Sequence, residues 1–187
     1  MGIVEIPKAS EEELITFYSS MYRLFAYPTS YWENEGTNEN EKIVHAEVYN
    51  GGKVKEGYLY ANNGFWDTYR TAWAAYYLFM PTGASRLLNG VVQHAADNNG
   101  WVPRWIAPAG TNSMVGTNSD VVFADAVAKG ISFDDELAYR SALLNGAAVS
   151  SNLTNGGRAG MDHSIFLGYM PLDDDQWLSW GMEGYIN

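Results

Sequence analysis

Apolar positions recur along the chain with helical spacing and are separated by polar, glycine-bearing connections. Ser10 with Glu13 forms a capping box, and an apolar run follows from Leu14 to Tyr27. Leu14, Tyr18, Met21, Tyr22 and Phe25 fall on one helical face, which Phe17 and Leu24 broaden. A stripe that wide predicts a helix buried on most sides, ended by Pro28. A second helix is expected from about Trp66 to Met80, stopped by Pro81, and a third from about Ala84 to Asn99, stopped by Gly100. The fourth begins at Asn118 or Ser119 and ends at Lys129 and Gly130. Ser132 or Asp134 caps a fifth, carrying Phe133, Leu137 and Leu144, that fades near Val149. A sixth is expected after Asp173–Asp175.

The connections at 28–65, 81–83, 100–117, 130–132 and 150–173 alternate long and short. Short links make antiparallel neighbours, so helices that alternate in direction place all three long loops at one end of the array. Loops beyond about 12–15 residues are usually functional or disordered. Three of them over one end of a helical scaffold describe the rim of a binding site. Within the first, Ile43–Tyr49 and Lys53–Tyr60 flank Asn50-Gly51-Gly52 and alternate partly with period two, which predicts a β-hairpin. The fold class expected is therefore mainly α: about six helices in antiparallel hairpins, with a β-hairpin in the first long rim loop. Helix pairs with loops at one end form a solenoid or a closed (α/α)6 barrel. Such a barrel has twelve helices, so the chain is expected to be a single partial domain over residues 1–187.

Composition narrows the partners. The net charge of −11 disfavours nucleic acid and anionic membranes, both of which need clustered Lys and Arg. The absence of cysteine removes disulfides and thiolate chemistry. No stretch approaches the roughly 18 apolar residues of a membrane span, and residues 1–8 show no signal-peptide pattern. Aromatic residues make up 14%, with 7 Trp and 13 Tyr, which serve either core filling or stacking on sugar rings.

The alternating directions bring the N-termini of the second, fourth and sixth helices to the loop-rich end. There Trp66-Asp67 opens the second helix, and Asp67 can hydrogen-bond sugar hydroxyls while the indole stacks. Both also have structural readings, Asp67 as a dipole-favouring residue and Trp66 as core. Trp101 and Trp105 flank a stiff Val102-Pro103-Arg104 turn. Asn118, Ser119 and Asp120 are all ordinary helix starters, and capping accounts for at least one of them. His45, His94 and His163 lack metal-ligand spacing, and Asp173–Asp175 lack the glycine and distal Glu of an EF-hand. Glycoside hydrolysis uses two carboxylates, about 6.5–9.5 Å apart for inversion and about 5–5.5 Å for retention. Asp67, Asp120 and Glu56 are the rim candidates, and their separations are not readable from sequence.

Taken together, FYSSMYRLFAYP (17–28), EGYLYANNGFWDTYRTAW (56–73), GWVPRWIAP (100–108) and MVGTNSDVVFADAVAKGI (114–131) resemble glycoside hydrolase family 92, the calcium-dependent exo-α-mannosidases. The resemblance covers most of residues 14–171. It implies an (α/α)6 barrel, inverting hydrolysis of terminal α-linked mannose, mannose-containing glycans as partners, and a secreted or periplasmic location. It also implies that Asp67, in the segment matching WDT[FY]R, holds mannose hydroxyls beside Trp66. Arg70 matches the same motif, as substrate contact or internal ion-pair partner, and the other two segments nominate Trp105, Asn118 and Asp120. The family's general acid, base and calcium ligands belong to motifs expected beyond residue 187, and a β-sandwich domain is expected before residue 1. No catalytic residue and no metal ligand is therefore assigned within the chain. The open edge of a partial barrel is expected to expose apolar faces and favour self-association.

Overall fold

A computed structural model describes residues 3–169. Helix α1 (Glu11–Leu24) starts at the capping box: Ser10 Oγ accepts from the Glu13 backbone N–H, and Glu13 Oε2 accepts from the Ser10 N–H at 2.8 Å. The first long connection then supplies six short strands, β1 (Thr29–Ser30), β2 (Glu33–Asn34), β3 (Ile43–Ala46), β4 (Val54–Glu56), β5 (Tyr60–Ala61) and β6 (Asn63–Gly64). Strands β2, β3 and β4 form an antiparallel sheet with Ala46 opposite Val54, so the expected hairpin is present and gains a third strand. Helices α2 (Phe65–Thr68), α3 (Ala72–Phe79) and α4 (Pro81–Asp97) follow, then β7 (Trp105–Ile106), β8 (Gly110–Thr111), α5 (Ser119–Ala128), α6 (Asp135–Ala147) and α7 (Met161–Leu167). The described residues are thus mainly helical with small sheets.

Three elements differ from the sequence expectation. The second helix is two, because the backbone leaves helical geometry at Thr71 (φ −134°, ψ −80°). The flanking threonines turn their hydroxyls back to main-chain carbonyls, Thr68 to Gly64 and Thr71 to Asp67, offering the backbone an alternative to a continuous helix. Pro81 does stop α3, but it also occupies the first turn of α4, where its missing N–H costs nothing, so no 81–83 loop exists. Helix α1 is not buried on most sides: Met21 alone is buried, while Ile15 and Tyr22 are exposed. In addition, α7 lies inside the expected 150–173 loop, bracketed by Gly160 and Gly168. The expected sixth helix falls outside the described residues.

The core runs between α3, α4, α5 and α6. Phe65, Trp73, Leu88, Val91, Val102, Ile106 and Val122 are fully buried there. Burial of side chains this large stabilises by about 1.5–3 kcal/mol each before the entropy of ordering is subtracted. Gly90 lets α4 approach the Tyr60 ring of β5, since a Cβ there would lie 2.3 Å from it.

Candidate functional site

The three long connections converge. Strand β6, from the end of the first, pairs antiparallel with β7 of the second, Asn63 opposite Ile106 and Gly64 opposite Trp105. The second joins the third through buried Arg104, whose guanidinium donates to the carbonyls of Met114 and Leu153 and to Asn112 Oδ1. Burial lowers the Arg104 pKa to about 10, which still leaves it cationic at neutral pH.

At the first of these junctions lies a cleft of about 500 Å³, lined by Tyr27, Asn62, Asn63, Gly64, Asp67, Thr68 and Trp105. That volume suits a small ligand. The Trp105 indole is pressed onto Gly64, where a Cβ would come 2.4 Å from its six-membered ring, so glycine there lets the indole lie against the strand. Asp67 is exposed in the single turn of α2, and no described hydrogen bond reaches its carboxylate. An acceptor with no partner among the described residues, beside a half-buried indole, is equipped to hold a hydroxyl-bearing ring, the carboxylate accepting hydrogen bonds from hydroxyls and the indole facing C–H bonds.

The other sequence-nominated residues lie elsewhere. Trp66 is half-buried, with the Arg70 guanidinium 5.6 Å from its ring centroid and 4.6 Å from that of Tyr69. Arg70 thus makes cation–π contacts, and no ion pair of Arg70 is present among the described residues. Asn118 is buried at the start of α5 without a side-chain capping bond, and its amide donates to the Val115 carbonyl at 2.8 Å. Both Asp120 oxygens are engaged: Oδ2 by the Thr117 hydroxyl at 2.7 Å and by Arg158 at 3.3 Å, Oδ1 by the Asn145 amide at 2.8 Å. Burial raises the Asp120 pKa, although these three partners pull the other way. Asp120 therefore braces α5, α6 and the third long connection. Glu56 lines a different depression with Gly57 and Lys42. Asp67 and Trp105 are the pair that the fold brings together.

Sequence reading missed a buried polar layer beneath the hairpin. His45 Nδ1 lies 2.9 Å from the Gly57 carbonyl and Nε2 3.0 Å from Asp97 Oδ2. Lys55 Nζ reaches Asp97 Oδ1 at 2.7 Å, and Gln93 donates to the same oxygen at 3.2 Å. Glu47 accepts from the backbone N–H groups of Tyr49 and Asn50, both at 2.7 Å. His94 receives the Tyr49 hydroxyl on Nδ1 at 2.7 Å and donates from Nε2 to the Tyr60 carbonyl at 2.8 Å. Among the described residues no three His, Asp or Glu side chains are grouped as they would be to hold a metal ion.

A second cleft of about 430 Å³, between the β1–β2 connection and the hairpin, contains Tyr31, Trp32, Glu33 and His45 and none of the nominated residues. Among the described residues no helix is long and apolar enough to cross a membrane.

The model of the glycosyl hydrolase family 92 catalytic domain matches residues 1–187. The chain belongs to this family. The comparison with curated proteins returned no match. Among solved structures, the chain is similar to a family GH92 inverting mannosidase from Bacteroides thetaiotaomicron, with 31% identity and a TM-score of 0.82. The match covers 92% of this chain and 23% of that one.

Proposed function

We propose that the chain supplies part of the substrate cleft of a glycosidase that removes terminal α-linked mannose with inversion. The observation that carries this is the Asp67–Trp105 cleft, a carboxylate free of described partners and an indole brought together at the meeting of two long connections. Asp67 holds ring hydroxyls, and Trp105 covers an apolar face of the sugar. Asp67 is the sole carboxylate lining this cleft, so its described walls lack the acid–base pair that inversion needs. Calcium dependence and export to the periplasm or medium belong to the same proposal and rest on the family resemblance alone. Self-association is proposed as well, supported by the apolar side chains exposed on α1 and α6.

Titration of the purified chain with methyl α-mannoside tests this reading. The expected result is weak, saturable binding that falls about tenfold or more in Asp67→Ala, with the melting temperature unchanged because Asp67 is exposed. Absence of binding by the wild-type chain overturns it. Release of mannose from an aryl α-mannoside, with calcium or with chelator, is not expected, and turnover would place a catalytic pair within these residues.

A further inference from the structure

The sheet of β2, β3 and β4 presents two different faces. From the inner one, His45 and Lys55 reach Asp97 of α4. Side chains alternate along a strand, so Val44 and Ala46 point the other way, with Glu33 opposite Val44 and Val54 opposite Ala46. That outer face floors the cleft of about 430 Å³, which Tyr31 and Trp32 of the β1–β2 connection also line. Val54 is 66% exposed and Tyr31 41%, so the cleft keeps apolar surface open to solvent. The Trp32 indole, half-buried, is braced edge-on against Tyr58 with the ring centroids 5.0 Å apart. Two carboxylates line the cleft. Glu35 is paired with Lys42 at 2.8 Å, whereas Glu33 is exposed and no described hydrogen bond or ion pair reaches its carboxylate. An open aromatic ring, an apolar floor and an uncommitted acceptor repeat the chemistry of the Asp67–Trp105 cleft.

The two clefts are neighbours. Ser30 and Tyr31 border one, Tyr27 and Asn62 the other, and the β1–β5 ladder runs between them. From Tyr27 to Ser30 the chain can reach at most about 11 Å. Thr29 and Ser30 are both exposed, so the strand between the clefts is polar and open to solvent. We infer that the Tyr31–Glu33 cleft is a second sugar-binding subsite, holding a further residue of the glycan whose terminal mannose occupies the Asp67 cleft. Tyr31 covers C–H bonds of that residue, and Glu33 accepts hydrogen bonds from its hydroxyls. A ligand that spans both clefts binds more tightly than one filling either, because its second contact is made within an existing complex. The substrate class is therefore an oligosaccharide rather than a simple mannoside. The inference rests on the Asp67 cleft being the mannose site.

The test titrates the purified chain with methyl α-mannoside and with α-1,2-, α-1,3- and α-1,6-linked mannotriose. At least one triose is expected to bind about tenfold more tightly than the methyl glycoside. Tyr31→Ala and Glu33→Ala should each remove most of that gain and leave methyl α-mannoside affinity unchanged. Both side chains are exposed and without described hydrogen bonds, so the melting temperature should hold; if Tyr31→Ala fails to fold, Glu33→Ala decides alone. Asp67→Ala should weaken every ligand. Equal affinity for the methyl glycoside and all three trioses overturns the inference and leaves the Asp67 cleft standing. A gain that survives Glu33→Ala and Tyr31→Ala also overturns it, since the longer glycan then lies elsewhere. No binding of any of these sugars by the wild-type chain removes the inference and the cleft reading together.

Discussion

His94 and Asp97 occupy neighbouring positions on one face of α4, buried in the same polar layer, yet they respond to acid in different ranges. Burial pushes the His94 pKa down to about 4, so the folded chain holds it neutral between the Tyr49 hydroxyl and the Tyr60 carbonyl. Between pH 6.5 and 4 the unfolded chain binds a proton at this position that the folded chain refuses. Stability from His94 is present above pH 6.5 and is lost as pH falls through that window, roughly 3 kcal/mol by its lower end. For Asp97, burial pushes upward, but hydrogen bonds from Lys55, His45 and Gln93 outweigh it and hold the carboxyl below its ordinary value of 3.8. Its contribution is therefore lost only in stronger acid. Asp120 works in the opposite sense: its raised pKa means that folding binds a proton, which adds stability as pH falls. Urea midpoints of wild type and His94→Gln between pH 7 and 4 separate these effects. The wild type should lose stability more steeply, and parallel curves would show that His94 does not carry the dependence.

The hairpin of β3 and β4 is held to α4 mainly through one carboxylate. Asp97 receives His45 of β3 and Lys55 of β4, while its main-chain carbonyl receives Asn50 from the turn. Removing it strands the buried His45 nitrogen and one end of the half-exposed lysine. Asp97→Ala should therefore cost about 2–4 kcal/mol, less than a fully enclosed ion pair because water reaches Lys55. Hydrogen exchange should show the loss in β3 and β4 first, with α3 and α5 still protected. Equal loss across all elements would mean that the hairpin is not a separable unit. The hairpin itself was legible from the Asn50-Gly51-Gly52 turn and its alternating arms. Helices α4, α5 and α6 were legible because their apolar periodicity and stops agree. The clasp was not: an acidic residue at the end of a long helix reads as a solvated group, and only the β3–β4 register places His45 and Lys55 against it. Asn63 was hidden for a similar reason, since an asparagine before glycine signals a turn rather than a buried strand. The break at Thr71 escaped notice because threonine interrupts a helix only where its hydroxyl finds a nearby carbonyl.

At the scale of the whole molecule, burial is uneven. The α3–α6 core is closed, whereas Ile15 and Tyr22 on α1, and Tyr139 and Leu143 on α6, are each more than half exposed. The chain covers 23% of the mannosidase it resembles. Sedimentation velocity at rising concentration should show dimers or larger species. Substituting Tyr22 and Tyr139 with Lys should restore a monomer without lowering the melting temperature. A concentration-independent monomer would overturn the self-association proposal.

The β6–β7 ladder gives the cleft a history during synthesis. Its walls are written far apart in the chain, and an N-terminal stretch emerging from a ribosome presents Trp66 and Asp67 well before Trp105 has been made. Until β7 docks on β6, Asp67 lacks the Trp105 indole across the cleft, and Gly64 is uncovered. On the reading proposed above, the sugar cleft is therefore incomplete in the nascent polypeptide until the second long connection closes against the first.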